Sequence, residues 1–140
     1  MIKNIYYLIV GILSVLFSFT HAQNGANTIL KETNTSNFSP ASKTTIFYVW
    51  HIITAENLIF GIFFIIMALY KNQTQVKFAA WLILIVIAAR WCAILAGTLI
   101  MSPGDIGNTL IDSIAIIVFA ALIIFGIRKK ENSEPEVINR

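Results

Sequence analysis

Three charged side chains stand inside otherwise apolar stretches of this sequence: Glu56, Arg90 and Asp112. At the centre of a membrane helix each costs about 2.5–3.5 kcal/mol on insertion scales, so such groups turn toward one another or toward water rather than lipid. An arginine facing a carboxylate is matched in charge and in planar geometry. Two carboxylates held in one apolar layer are also chemically able to do acid–base work, although nothing in their spacing demands it. Asn57 and His51 lie close by in sequence and add hydrogen-bonding groups. Glu56, Arg90, Asp112, Asn57 and His51 together form the candidate binding cluster. No catalytic residue is assigned: there is no Gly-rich phosphate loop, no His-Glu-x-x-His and no Ser-His-Asp set legible without a fold. No metal site and no cofactor are expected. Cys92 is the single cysteine, too few for an internal disulfide or a multi-cysteine metal site, and it reads as a small packing residue.

The elements that must position this cluster follow from composition. The chain has 140 residues, 57% apolar and only 12% charged. Soluble domains run at about 45–50% apolar and about 25% charged, so a wetted soluble enzyme is excluded. Four apolar stretches run from Ile5 to Thr20, from about Ile46 to Tyr70, from about Phe78 to Met101 and from about Thr109 to Ile127. The last three approach or exceed the ~20 residues that cross ~30 Å of hydrocarbon. Their apolar residues cover all sides, and no period-two alternation suggests a barrel. Lipid tolerates only segments whose backbone groups are internally paired, which makes them helices. The fold expected is all-α: an integral membrane antiparallel four-helix bundle.

The first stretch carries two readings. Lys3 precedes the apolar run, and Thr20-His21-Ala22 before Gln23 fits a signal-peptidase site. Residues 1–22 are therefore either a cleaved signal peptide, leaving three helices, or a first transmembrane helix. Residues 23–45 read as a polar loop rich in Asn, Ser and Thr, irregular apart from a helical turn around Thr28–Glu32. Residues 46–127 are the three-helix membrane core, with a tight turn at Lys71–Lys77 and a strong turn signal in Ser102-Pro103-Gly104-Asp105. Residues 128–140 read as a disordered charged tail.

Basic residues set the orientation. Lys3, Lys71, Lys77, Arg128, Lys129, Lys130 and Arg140 fall at one set of helix ends, against Lys31 and Lys43 at the other. The rich side is expected to be cytoplasmic, and with four spans both termini lie there. The polar loop 23–45 then faces outward, and the membrane expected is a bacterial inner membrane. The net charge of +3 is thus a topology signal, and a nucleic-acid partner is not expected. The partners expected are the lipid bilayer, a homo-oligomer or another membrane protein.

Depth ties the cluster together. Glu56 lies about ten residues in from the outer end of its stretch and Arg90 about eleven in from the outer end of the next. At about 1.5 Å per residue they share one level near the bilayer middle. Asp112 and His51 are shallower and could form an outer layer, but His51 points about 140° away from Glu56 on a helical wheel, so the two cannot face one spot. Trp50, Thr54, Asn57 and Gly61 make one stripe with Glu56 at its border. Ala89, Ala93 and Gly97 make a small-residue ladder of the kind that lets helices approach closely.

The segment Trp50-His-Ile-Ile-Thr-Ala-Glu56-Asn-Leu-Ile-Phe-Gly61 resembles the second helix of BphX-like small bacterial membrane proteins and of related four-helix families of unknown function. Arg90 and the basic end at Gly126-Ile-Arg128 are similar to the same layout, while the surroundings of Asp112 depart from it. The resemblance implies a four-helix membrane protein, a retained first helix and no established activity. Three functions stay open: a non-enzymatic accessory or scaffold subunit; a small oligomeric transporter or proton-linked channel using Glu56 and Arg90; and, third in order, an intramembrane enzyme acting on a lipid-like substrate. For Glu56 and Arg90 the plain structural alternative is an ion pair that fixes helix register.

Overall fold

A computed structural model describes residues 1–129. Among them the fold is an all-α bundle of four long antiparallel helices, each long and apolar enough to cross a membrane. Helix α1 spans Ile5–Asn27, a short α2 spans Ile29–Thr35, α3 spans Pro40–Leu69, α4 spans Gln73–Met101 and α5 spans Ile106–Arg128. A single 3-10 turn, Pro103–Asp105, joins α4 to α5 where the Ser-Pro-Gly-Asp signal stands. The chain is thus an integral, multi-pass membrane protein. Of the tail expected to be disordered, residues 130–140 lie outside the described residues; Arg128 ends α5 and Lys129 caps it.

The stretch between the first two spans is helical where an irregular loop is expected. Helix α1 runs past the apolar stretch to Asn27, α2 fills most of the gap, and α3 begins at Pro40 rather than near Ile46. Two local causes account for this. Ser39 is a strong N-cap, its hydroxyl accepting from the Ser42 N–H, and Pro40 takes the first helical position where a missing N–H costs nothing. The threonines that read as loop formers spend their hydroxyls on their own helices: Thr28 donates to Asn24 O, Thr35 to Lys31 O and Thr45 to Ala41 O. Lys43 ties the connection down by donating from Nζ to Asn34 O at 2.9 Å. Similarly, Asn72 caps α4, so the turn before it is shorter than Lys71–Lys77.

The helices form a ring in which α1 packs against α3 and α5, and α4 against α5 and, more sparingly, α3. The α1–α3 seam is the closest. It is built from Gly11, Ser14, Ser18, His21 and Gly25, which recur at alternating steps of three and four and so line one face of a helix. Opposite them stand Gly61, Asn57, Thr54 and Trp50, the stripe read from the sequence. The backbones touch at the glycines. A Cβ on Gly11 would lie 2.9 Å from Gly61 O, and one on Gly61 would lie 2.9 Å from Gly11 O. Above them Ser14 Oγ donates to Asn57 O at 2.8 Å and Ser18 Oγ to Thr54 O at 2.9 Å. Small residues and interhelical hydrogen bonds of this sort drive helix association in lipid, where apolar burial gives little.

The ladder Ala89-Ala93-Gly97 does not serve this purpose. All three residues are exposed on α4, and nothing lies within 4 Å of a Cβ built on Gly97. Cys92, expected as a packing residue, is likewise exposed. The packed core lies instead toward the end that carries Lys3, Lys71 and Lys77, the basic end. It comprises Tyr7 and Val10 of α1, Phe64, Met67 and Ala68 of α3, Ala80, Ile83, Leu84 and Ile87 of α4, and Phe119, Ile123 and Ile127 of α5. Asn4 fastens it. This N-cap of α1 is 1% exposed, accepts from the Tyr7 N–H and donates to Gln73 Oε1 at 3.2 Å and to Gly126 O at 2.9 Å. One amide side chain thereby joins α1, α4 and α5, while the Lys3 and Asn4 N–H groups donate to Ala68 O at the end of α3.

Candidate functional site

Helix α3 presents Glu56 and Asn57 as neighbours, and α4 runs antiparallel beside it with Arg90 at the same level. The expected pairing is present. Arg90 Nη1 donates to Glu56 Oε2 at 3.3 Å and Nη2 to Asn57 Oδ1 at 3.1 Å. The side chains remain 25% exposed for Arg90 and 38% for Glu56, so the pair is accessible from one side. Asn57 is shared between two contacts: its carbonyl oxygen on the backbone serves the α1 seam through Ser14, and its amide side chain serves Arg90.

From this layer toward the Asn-rich end the bundle forms a partly open cavity of about 520 Å³. Arg90, Asn57 and Ser14 stand at the level of the ion pair, and Thr20, His21 and Asn24 of α1 stand one to three turns farther along. Phe17, Phe60, Ile87, Ile116 and Phe119 form the apolar wall, with the Phe17 and Phe119 rings 6.0 Å apart. Asp112 of α5 also lines the cavity. Its depth follows from the α4–α5 hairpin, in which Trp91 Nε1 donates to Ser113 Oγ at 2.7 Å and the Thr98 and Thr109 hydroxyls meet at 3.2 Å. Asp112 therefore sits about one helical turn from the Arg90 level, on the side of the Asn-rich end. Asp112 is exposed and has no hydrogen bond or ion pair to another described residue.

The candidate cluster is thus brought together in four of its five members. Glu56, Arg90 and Asn57 form one network, and Asp112 lines the same cavity as Arg90 and Asn57. His51 does not line it; its ring packs edge-on against Phe47 at 4.4 Å, one turn back on α3. An outer polar layer exists, but its histidine is His21. In the sequence His21 falls at the end of segment 1–22, inside the Thr20-His21-Ala22 cleavage-site pattern, and nothing there marks it as a site residue. The signal that finds it is the small-residue period Gly11-Ser14-Ser18, which continues through His21 to Gly25 on the same face.

His21 is held in place from two sides. Its ring stacks on the Trp50 ring with centroids 4.3 Å apart and planes 5° apart, and its carbonyl accepts from Trp50 Nε1 at 3.0 Å. Gly25 leaves the room that the Trp50 indole occupies, since a Cβ there would collide with it. His21 Nε2 is buried and has no hydrogen-bond partner among the described residues. A neutral imidazole nitrogen of this kind is either a free donor or a free acceptor, depending on the tautomer. Among the described residues no group of three or more His, Cys, Asp or Glu side chains is placed to hold a metal ion. The site is instead an amphiphilic recess: polar groups of both signs on one part of its lining, aromatic and aliphatic surface on the rest. Comparison of the chain with protein-family models, curated proteins and solved structures returns no match.

Proposed function

We propose that this chain is a small, non-enzymatic multi-pass membrane protein that holds a small amphiphile in its intramembrane cavity, acting as an accessory subunit to another membrane process. A single observation carries the reading: a ~520 Å³ recess, open on one side, combines Arg90, Asp112, His21 and Asn24 with Phe17, Phe60 and Phe119. Ligand sites are typically apolar recesses of this size with a few convergent polar groups. The orientation proposed, with both termini on the cytoplasmic side of a bacterial inner membrane and the cavity toward the outer face, rests on the seven-to-two bias of the basic residues. Retention of the first helix is part of the proposal, because Tyr7, Val10, Ser14 and His21 supply the core, the seam and the cavity. The BphX-like layout agrees with it.

The test is photolabelling of the purified protein in lipid nanodiscs with a neutral diazirine-bearing fatty alcohol. Labelled peptides mapping to the cavity lining, and their loss on Ala115→Trp, which fills the recess from α5, are the expected result. Labelling spread evenly over the lipid-facing helices, and indifferent to Ala115→Trp, would count against a ligand site.

A second reading is a small oligomeric transporter or proton-linked channel. It draws on the asymmetry of the bundle, packed at the basic end and recessed at the other, which suits a site exposed to one side at a time. Proteoliposome flux that survives Glu56→Gln unchanged would sink it.

A further inference from the structure

The charges around the cavity do not balance, and the imbalance defines a ligand. Arg90 is answered by Glu56 Oε2 and by Asn57 Oδ1, so its positive charge is already neutralised. Asp112 is not answered by any described residue, although it lines the same cavity about one helical turn from Arg90. An unpaired carboxylate at such a level in a membrane is costly and is retained where a counter-charge reaches it. An anionic ligand would have to share Arg90 with the Glu56 carboxylate and lie in a recess whose remaining charge is that of Asp112. A cationic ligand meets no such competition.

We propose that the cavity takes an organic cation, an ammonium group on an apolar body, with Asp112 as its counter-ion. The proposal rests on the reading of the recess as a ligand site and adds the ligand's charge and chemistry. The other lining groups suit the same occupant. Phe17, Phe60 and Phe119 offer aromatic faces, which attract cations as well as alkyl chains. Asn24 and Thr20 offer oxygen acceptors, and the unpartnered Nε2 of His21 is an acceptor in the tautomer protonated at Nδ1. An ammonium with N–H groups carries donors only, so each of these atoms is complementary to it.

The experiment uses two photoreactive probes with the same diazirine-bearing alkyl chain, one ending in a primary ammonium and one in a sulfonate. Each labels the full chain in nanodiscs of neutral lipid, alone and with Asp112→Asn, Asp112→Glu or Ala115→Trp. The ammonium probe is expected to label the lining about tenfold more than the sulfonate, the ratio that about 1.4 kcal/mol of charge pairing gives. Asp112→Asn is expected to abolish that preference, Asp112→Glu to keep it, and Ala115→Trp to remove labelling by both probes. Asp112 is exposed and unpartnered, so neither change at this position threatens the fold. Equal labelling by the two probes, or a preference that survives Asp112→Asn, overturns the cation assignment; if Ala115→Trp still removes the labels, the recess remains a ligand site. Absence of labelling at the lining by either probe overturns both.

Discussion

The two ends of the bundle are differently closed. At the basic end α1, α3, α4 and α5 meet around Asn4, with Tyr7 and Phe64 fully buried beneath it. Toward the other end, α1 stays joined to α3 and α4 to α5, but a cavity separates the pairs. There Ile94, Leu99, Ile100, Leu110 and Ile111 are all exposed. In water such side chains would be driven together. In lipid they gain nothing from meeting, because the acyl chains are as apolar as they are. What distinguishes the ends is therefore the placement of glycines and satisfied polar groups. Gly11, Gly61 and Gly126 allow contact where they occur, and Gly97 allows nothing because no neighbour is tied to it.

The largest effect expected from breaking this contrast is at the α1–α3 seam. Gly61→Leu places a branched side chain where Val15 N and Gly11 O already lie 2.9 Å from a Cβ position. A loss of about 3 kcal/mol is expected, the upper part of the range for overpacking, read by SDS-titrated unfolding in mixed micelles. Asn4→Ala comes next. It removes a cap and the donor to Gln73 Oε1 and to the Gly126 carbonyl, at a cost of about 2 kcal/mol, with faster amide exchange confined to the basic end. Exchange rising equally at both ends would show that the two are not separately held.

The ion pair gives a smaller, coupled effect. Glu56→Gln and Arg90→Met should each destabilise more than the double change, with a coupling of about 1 kcal/mol by double-mutant cycle, since each single change leaves one charge alone. The partial exposure of both side chains keeps this figure low. Additive effects would mean that the pair does not bridge α3 and α4 energetically. The smallest effect is expected from Gly97→Leu, within about 0.5 kcal/mol of the parent, the usual range for a surface change. The same substitution at Gly61 and Gly97 thus reads the difference between a used and an unused small residue.

Much of this architecture was legible from sequence because hydrocarbon thickness fixes span length and charges mark span ends. The level shared by Glu56 and Arg90 followed from counting residues inward, and the pair is found there. Other features resisted for identifiable reasons. The ladder on α4 looked like a contact because small residues permit approach, but permission is not attraction; α1 carries small residues that also donate hydrogen bonds. The connection before α3 looked irregular because Asn, Ser and Thr favour loops on average, whereas here Ser39 caps and the threonines bond their own helices. His21 was hidden because a cleavage-site pattern and a helix seam use the same small residues. Asp112 reads from the sequence as a shallow polar residue, and its lack of a partner is a three-dimensional fact.

The contact between Asn4 and the Gly126 carbonyl also has a bearing on how the protein is made. The two residues are separated by 122 positions, and Lys129 Nζ reaches the Lys3 carbonyl across 126. A ribosome releases the first helix into the membrane well before the last exists, and chains grow at about 5–20 residues per second. For several seconds the Asn4 amide therefore lacks its α5 acceptor, and the hairpin of α1 and α3 must persist on its own seam. Locking of the basic end is then a terminal event of biogenesis, one that records the arrival of the final span.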